Sequence, residues 1–195
     1  VVALFPALAL ALLVPLIPDV LAGEVIRYGF SWLPLLGLNF SLQLDGLSLL
    51  FTLLILGIGL LVILYARYYL SERDSMPRFY ACLLLFMLAM LGIVLSGNLL
   101  QMWFFWELTS ISSFLLISYW SHQADARKGA RMALTVTAAG GLALLAGILL
   151  IGEILGSYEF SDILSQTATL QQHAAYPVVL VLVTTRYLSA LRMAM

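Results

Sequence analysis

The chain has 195 residues, of which 63% are apolar and only 10% are charged, and its formal net charge is −1. A soluble domain of ordinary composition carries about 25% charged residues, so this composition excludes a water-solvated globular fold and indicates a protein embedded in lipid. The small net charge gives no electrostatic case for binding nucleic acid, and the single cysteine, Cys82, excludes an intrachain disulfide.

Hydropathy predicts an all-α fold, a polytopic bundle of about five to six transmembrane helices. A helix needs about 20 apolar residues to cross the hydrocarbon core of a bilayer, and several stretches of the chain have that length. The predicted spans are 1–22, 45–66, 79–96, 99–119 and 131–152, with a sixth helix beginning near Pro177. The chain 1–195 is therefore predicted to be one membrane domain, in which 158–165 forms a short interfacial helix capped by Ser157 or Ser161.

Basic residues are distributed unequally between the connections. Two connections on one side of the membrane carry six of them, against Arg27 alone on the other side. The six are Arg67, Arg73, Arg78, Arg127, Lys128 and Arg131. Because positive charge favours the cytoplasmic side, we expect the N-terminus of the chain in the cytoplasm and the connections 23–44, 97–98 and 153–176 outside. The shortest of these, 97–98, predicts an antiparallel hairpin of its two flanking helices.

One carboxyl group lies deep inside a predicted span. Glu107 is the ninth residue of 99–119, and no other residue of that span is charged. A charge at mid-membrane is costly and normally faces the bundle interior or a wet cavity, which makes it a functional hypothesis. A nearby cation lowers the pKa of a carboxyl group and burial raises it, so a carboxyl group whose cationic partner is alternately present and absent can bind and release a proton. The alternative is a structural glutamate that is hydrogen-bonded to a neighbouring helix.

Three further residues are candidates for ion translocation, each with a structural alternative. Ser110 lies one turn after Glu107, where its hydroxyl either carries a water chain or bonds to its own helix or a neighbour. Asp45 opens the second span at the outer face, either as a helix N-cap or as a carboxylate at an ion entrance. Arg131 lies at the inner surface, where it anchors the topology or assists a proton path.

The sequence contains no motif for a cofactor, a metal or covalent catalysis. His122 and His173 are predicted on opposite sides of the membrane and cannot share a metal. Glu153, Glu159 and Asp162 are interpreted as a solvated acidic loop without a basic partner, with cation attraction as the alternative. Since phosphate-binding glycine loops, nucleophile triads and flavin motifs are also missing, no enzyme activity and no cofactor are expected.

The segment Phe105–Trp120 reads Phe-Trp-Glu-Leu-Thr-Ser-Ile-Ser-Ser-Phe-Leu-Leu-Ile-Ser-Tyr-Trp. It strongly resembles the large A-type subunit of the Mrp-type multisubunit sodium/proton antiporters, which are relatives of the antiporter-like membrane subunits of respiratory complex I. Other motifs agree with this family in order and spacing, namely Leu44–Phe51, Leu64–Leu70, Leu95–Leu99 and Gly140–Leu144. The resemblance extends from about residue 10 to residue 183, whereas residues 184–195 do not match it.

The resemblance implies that the chain covers an N-terminal part of a much larger subunit. In the family, the glutamate that corresponds to Glu107 pairs with a lysine on a later helix, and charge on this pair alters proton occupancy along a wet path at mid-membrane. No lysine follows Val183, and the chain starts with Val1 rather than a methionine. We therefore expect a partial chain whose tail departs from the family.

The expected function is antiport, in which cytoplasmic sodium is exchanged for external protons and the proton passes through Glu107. The expected location is the cell membrane, and the expected partners are other membrane subunits of the complex, sodium ions, protons and the lipid bilayer, without nucleic acid. One alternative is a proton-translocating subunit of complex I or of a membrane-bound hydrogenase, driven by electron flow. Another is a truncated fragment that does not transport.

Overall fold

The computed structural model describes residues 2–33, 38–69, 76–119 and 124–194. Parts of the two predicted basic connections, with Arg73 and His122, lie outside the described residues. The elements in chain order are α1 (Leu4–Leu13), a 3-10 turn (Val14–Leu16), α2 (Ile17–Leu21), β1 (Ile26–Leu33), β2 (Leu38–Leu44), α3 (Gly46–Tyr69), α4 (Met76–Leu95), α5 (Leu99–Ile117), α6 (Ala124–Leu155), α7 (Phe160–Ser165), α8 (Thr167–Gln172) and α9 (Tyr176–Ala194).

Five helical stretches are long and apolar enough to cross a membrane, and they correspond to the five spans predicted from hydropathy. They are Leu4–Leu21, Gly46–Tyr69, Met76–Leu95, Leu99–Ile117 and Arg131–Leu155. The first comprises α1, the 3-10 turn and α2, because Pro15 and Pro18 lack the N–H that a continuous α-helix requires. The sixth predicted helix is α9, which continues as far as Ala194.

Helix α6 is longer than predicted, since it begins at Ala124 rather than at residue 131. The interpretation of 120–130 as a connection is therefore wrong for residues 124–130. Hydropathy excluded these residues because several are charged, although alanine, arginine and lysine all favour helix. With 32 residues, α6 is about 48 Å long, so its charged first turns extend beyond the apolar stretch.

The connection 23–44 contains an antiparallel β-hairpin that the hydropathy pattern did not predict. Tyr28 of β1 is paired with Leu42 of β2, and Phe30 is paired with Phe40. The rings of Phe30 and Phe40 stack with their centroids 5.4 Å apart. The alternation of apolar and polar residues in Leu38–Leu44 is typical of a strand, but averaging over a hydropathy window hides it. Apart from this hairpin and isolated bridges, the regular structure of the described residues is helical, which confirms the predicted helix bundle.

Backbone hydrogen bonds attach the hairpin to the helix ends beside it. The Gly97 N–H donates to the Ser41 carbonyl at 2.8 Å, and the Leu99 N–H donates to the Tyr158 carbonyl at 2.8 Å. The Phe160 N–H donates to the Gly97 carbonyl at 2.9 Å. We call this side of the molecule the hairpin end; it includes the turn between α4 and α5 and the segment that follows α6.

The predicted short helix after α6 is present as α7, and α8 follows it. The predicted cap is wrong, because Glu159 holds the N-cap position and makes no side-chain cap hydrogen bond. The Ser157 hydroxyl donates instead to Oδ2 of Asp162 at 2.6 Å and accepts from the Glu159 N–H at 3.2 Å. Gly156, at φ 73°, terminates the preceding helix in the left-handed region that glycine tolerates.

Consecutive spans pack against one another, so that α5 lies between α4 and α6, and α6 also packs on α9. Small residues allow this approach. A methyl group on Gly92 of α4 would overlap the ring of Phe105 on α5, and one on Gly147 of α6 would stand 3.1 Å from Val183 Cγ2 of α9. At Gly57 of α3, by contrast, a methyl group would meet no atom of the described residues within 4 Å.

Candidate functional site

The Glu107 side chain lies at the middle of α5. It is nine residues from the N-cap Asn98, or about 14 Å along the helix axis. The side chain is half-buried, and its helix has apolar spans on both sides. The structure therefore places a carboxyl group inside the bundle, about as far from either end of α5 as the helix allows.

The carboxyl group of Glu107 rests directly on the backbone of α6 at Gly141. If Gly141 carried a Cβ, that atom would overlap Oε1 and would lie 2.5 Å from Cδ and 2.9 Å from Oε2 of Glu107. Only a residue without a side chain leaves this volume for the carboxyl group. Trp103, one turn before Glu107, donates a hydrogen bond from Nε1 to the Gly141 carbonyl at 2.9 Å. Two side chains of α5 therefore meet α6 at the same glycine.

Helix α5 presents opposite faces to its two neighbours. At 3.6 residues per turn, Trp103, Glu107 and Ser110 share the face towards α6. The opposite face carries Phe105, which packs on Gly92 of α4, and Ser112, which is fully buried. Glu107 and Ser110 are thus separated from the α4 contact by the width of the helix.

The hydroxyl groups that follow Glu107 bond to carbonyls of their own helix. Thr109 Oγ1 donates to the Trp106 carbonyl at 2.6 Å, and Ser112 Oγ donates to the Leu108 carbonyl at 2.8 Å. Ser110 Oγ makes a long contact of 3.4 Å with the Trp106 carbonyl. By helical spacing the Ser110 hydroxyl is on the Glu107 side of α5, so Ser110 is the member of this group best placed to contact a water beside Glu107.

Asp45 is the N-cap residue of α3, which was one of the two roles predicted for it. Its Oδ1 accepts from the Ser48 N–H at 2.8 Å, and the Ser48 hydroxyl accepts from the Asp45 N–H at 2.6 Å. This reciprocal pair is a capping box. The backbone hydrogen bond from Ser48 holds the pKa of the Asp45 carboxyl below its usual value, against the opposing effect of burial. Asp45 also lines an open cavity of about 320 Å³ at the hairpin end.

A polar cluster at the hairpin end was missed by the reasoning from sequence. Glu159 accepts hydrogen bonds from Asn98 Nδ2 at 2.8 Å, from Ser41 Oγ at 2.9 Å and from Asn39 Nδ2 at 3.4 Å. Its interpretation as part of a solvated loop is wrong, because it is half-buried and held by these three donors. The Gly97-Asn98 pair before an apolar helix was the available signal, since asparagine is a preferred N-cap residue.

The four predicted site residues are not brought together. Asp45 lies at the hairpin end, Glu107 and Ser110 lie at mid-helix, and Arg131 is exposed near the other end of α6. Arg131 precedes Gly141 by ten residues, or about 15 Å of helix. The described residues contain no group of three or more histidine, cysteine or acidic side chains that could hold a metal ion.

Two family models match the chain. The model described as NADH:quinone oxidoreductase/Mrp antiporter, TM, matches residues 96–191. The model described as NADH-Ubiquinone oxidoreductase (complex I), chain 5 N-terminus, matches residues 32–80. The first match includes Glu107 and Gly141, and it extends past Val183, where the resemblance in sequence motifs ends.

Curated relatives carry antiporter names. A protein of Rhizobium meliloti, named as a probable K(+)/H(+) antiporter A/B subunit, is 56% identical over 86% of this chain and 17% of its own length. The putative antiporter protein mnhA2 of Staphylococcus haemolyticus is 45% identical over 89% of this chain and 22% of its own length. The chain thus spans about a fifth of the length of these two relatives.

Two solved structures are similar in fold. The Mrp complex from Dietzia sp. superposes with a TM-score of 0.78 and 31% identity, over 85% of this chain and 18% of that one. An archaeal membrane-bound sulfane sulfur reductase superposes with a TM-score of 0.77 over 95% of this chain and 37% of that one. Its identity of 18% shows a common fold alone.

Proposed function

We propose that this chain, which belongs to the NADH:quinone oxidoreductase/Mrp antiporter family of membrane subunits, forms part of a monovalent cation/proton antiporter and binds a transported proton at Glu107. The membership itself confirms the resemblance predicted from Phe105–Trp120. The complete subunit would work in a multisubunit membrane complex, and its activity is transport rather than covalent catalysis.

The position of Glu107 carries this proposal. A carboxyl group inside an apolar bundle is costly, and such groups mark proton relays and ion pathways. Glu107 is half-buried at the middle of α5, on the face towards α6. A proton taken up there neutralises the charge, and its release restores the charge. Alternation between these two states is what a proton-coupled exchanger requires of one site.

Sodium and potassium are the two candidates for the exchanged cation. The family resemblance predicted sodium out and proton in, whereas the Rhizobium meliloti relative is named for K(+)/H(+) antiport. Both ions are monovalent, and the described residues present no site that distinguishes them. We therefore propose monovalent cation/proton antiport, with sodium and potassium as separate arms of the test.

Ser110, Asp45 and Arg131 have subsidiary parts in the proposal. Ser110 would hold a water next to Glu107, since by helical spacing its hydroxyl lies on the same side of α5. Asp45 would attract cations at the cavity that it lines, in addition to capping α3. Arg131 would anchor the cytoplasmic end of α6, with the N-terminus of the chain on the same side of the cell membrane.

Coupling to electron flow is the second candidate function. It is supported by the match of residues 32–80 to a complex I model. In that case proton movement through Glu107 would require an electron donor and acceptor. Ion-driven proton exchange in vesicles without either substrate distinguishes antiport from transport driven by electron flow.

The proposal is tested by replacing Glu107 in the complete subunit, co-expressed with its partner subunits in cells that lack other antiporters. Everted membrane vesicles are energised, and the collapse of the proton gradient after addition of sodium or potassium is measured. Glu107→Gln is expected to reduce antiport to the level of vesicles without the complex. The matched control is Glu153→Gln, the same chemical change at an exposed position of α6, which is expected to leave antiport unchanged.

The amount of assembled complex in each preparation is measured by native gel electrophoresis, so that rates are compared per complex. A Glu107→Gln complex that assembles and exchanges either cation at the normal rate contradicts the proposal. Exchange that appears only when an electron donor is added favours the second candidate function.

A further inference from the structure

We infer that Gly141 and Trp103 are positioning residues for Glu107: together they hold its carboxyl group in a notch in the backbone of α6. This inference rests on the proposed function, because it assigns to both residues an effect on transport through Glu107. Neither residue is charged or titrates, so their contribution is the placement of the carboxyl group.

The notch exists because Gly141 has no side chain. The positions one turn away on the same face of α6 are Thr137 and Leu145, which carry full side chains. At Gly141 the carboxyl group of Glu107 fills the space that a methyl group would otherwise take. Addition of that methyl group must move the carboxyl group or separate the two helices.

The hydrogen bond from Trp103 fixes the position of Gly141 along the helix axis relative to Glu107. Trp103 precedes Glu107 by four residues, so both side chains leave α5 on the same face. Its Nε1 donates to the carbonyl of Gly141 itself, at 2.9 Å. A slide of α6 by one residue, about 1.5 Å, would lose this bond and would move the glycine away from the carboxyl group.

The effect of close helix packing can be measured separately from the positioning of Glu107, because α5 makes a second close contact with a glycine on its other face. Gly92 of α4 lies against the Phe105 ring, and a methyl group there would overlap that ring as severely as one on Gly141 would overlap Glu107. Gly92→Ala therefore disturbs the packing of α5 without placing any atom against the carboxyl group. It is the matched control for Gly141→Ala.

The experiment measures antiport per assembled complex in the complete subunit, with wild type, Gly141→Ala, Glu107→Asp, the double variant and Gly92→Ala. Gly141→Ala is expected to lower the rate by about tenfold or more, since a displacement of about 1 Å at a reacting group is sufficient for such a loss. Aspartate is shorter by one methylene group, so its carboxyl group withdraws from the added methyl group. The double variant is therefore expected to exchange ions at least about threefold faster than Gly141→Ala alone, a coupling typical of residues in contact.

Three results overturn the inference. The first is normal antiport by Gly141→Ala. The second is a double variant that is no faster than Gly141→Ala, which makes Gly141 a packing residue only. The third is an equal loss of antiport per complex in Gly92→Ala.

If Gly141→Ala does not assemble, Trp103→Phe tests the inference instead, because this change removes the Nε1–H donor and keeps an aromatic ring. The rate is expected to fall by about threefold or more, and an unchanged rate overturns the inference. The results distinguish failure of this inference from failure of the proposed function. Normal antiport by Glu107→Gln contradicts the proposed function. If Glu107→Gln is inactive and Gly141→Ala is active, only the role of the glycine is contradicted.

Discussion

The side-chain amide of Asn98 donates a hydrogen bond of 2.8 Å to Oε1 of Glu159, which joins the start of α5 to the segment after α6. The same side chain caps α5, because its Oδ1 accepts from the N–H groups of Leu100 and Gln101. Asn98 is fully buried. One side chain therefore satisfies two free donors of a helix end and one half-buried carboxylate.

Replacement of Asn98 by alanine is expected to destabilise the hairpin end. The change removes a helix cap and one of the donors to Glu159, and together these losses amount to about 2 kcal/mol. The midpoint of thermal unfolding of the purified complex measures the effect. Asn39→Ala is the control, because its bond to Glu159 is long, at 3.4 Å, and its loss is expected to cost about 0.5 kcal/mol or less. Equal destabilisation by the two variants would contradict this account of the cluster.

The capping box of α3 predicts a pH dependence of stability. The pKa of Asp45 is lowered in the folded state by the backbone hydrogen bond from Ser48, so the ionised carboxyl stabilises the fold above the ordinary aspartate pKa of about 3.9. This contribution is expected to be lost as the pH falls through the lower folded pKa. Asp45→Asn keeps a cap acceptor and does not titrate. The stability of the wild type relative to Asp45→Asn should therefore decrease in acid, and a difference that is constant with pH would be inconsistent with the cap.

Removal of the side chain that caps α3 is expected to lower the stability of the fold. Asp45→Ala should destabilise the protein by about 1 kcal/mol near neutral pH, whereas Asp45→Asn should have a much smaller effect. Antiport measured with the same two variants tests the proposed attraction of cations. If Asp45→Asn assembles and transports at the normal rate at low cation concentration, Asp45 is a cap alone.

Two serines of α5 are expected to differ in their effect on transport. Ser110 lies by spacing on the Glu107 side, and Ser110→Ala is expected to lower antiport several-fold by removing a partner for water. Ser112 lies on the opposite face with its hydroxyl bonded to carbonyls of α5, so Ser112→Ala is expected to leave antiport unchanged. Rates per assembled complex test the pair. A loss confined to Ser112→Ala would reverse the assignment of faces.

Glycine at position 152 is expected to be more sensitive than glycine at position 57. A methyl group on Gly152 would overlap the ring of Tyr158, whose carbonyl accepts from the Leu99 N–H. Gly152→Ala is therefore expected to cost about 1–3 kcal/mol by overpacking. Gly57→Ala meets no atom within 4 Å and is expected to be neutral or slightly stabilising in a helix interior. Thermal unfolding of both variants provides the comparison, and equal midpoints would argue against the Tyr158 contact.

The spans and the position of Glu107 could be predicted from the sequence because both depend on local composition. Twenty or so apolar residues in a row identify a span, and one acidic residue within such a run is conspicuous without any structure. The helical hairpin at 97–98 followed in the same way from a connection of two residues. Family membership was also predicted, since the segment around Glu107 keeps the residues typical of the family.

The environment of Glu107 could not be predicted, because it depends on contacts between distant residues. Gly141 is one of several small residues in the α6 sequence, and the sequence does not show which of them lies opposite the carboxyl group. Glu159 was assigned to solvent because its donors are 61 and more residues away. The β-hairpin was missed for a local reason, since a window long enough to find spans averages out a two-residue period.

Three of the links between the hairpin, the α4–α5 turn and the segment after α6 are made by main-chain atoms alone, through Ser41, Gly97, Leu99, Tyr158 and Phe160. Every residue type except proline can supply the N–H and every residue can supply the carbonyl. Exposed positions in these segments are therefore free to diverge between homologues, and side-chain chemistry on this surface can be re-engineered for tags, probes or new partner contacts while the helix ends keep their spacing.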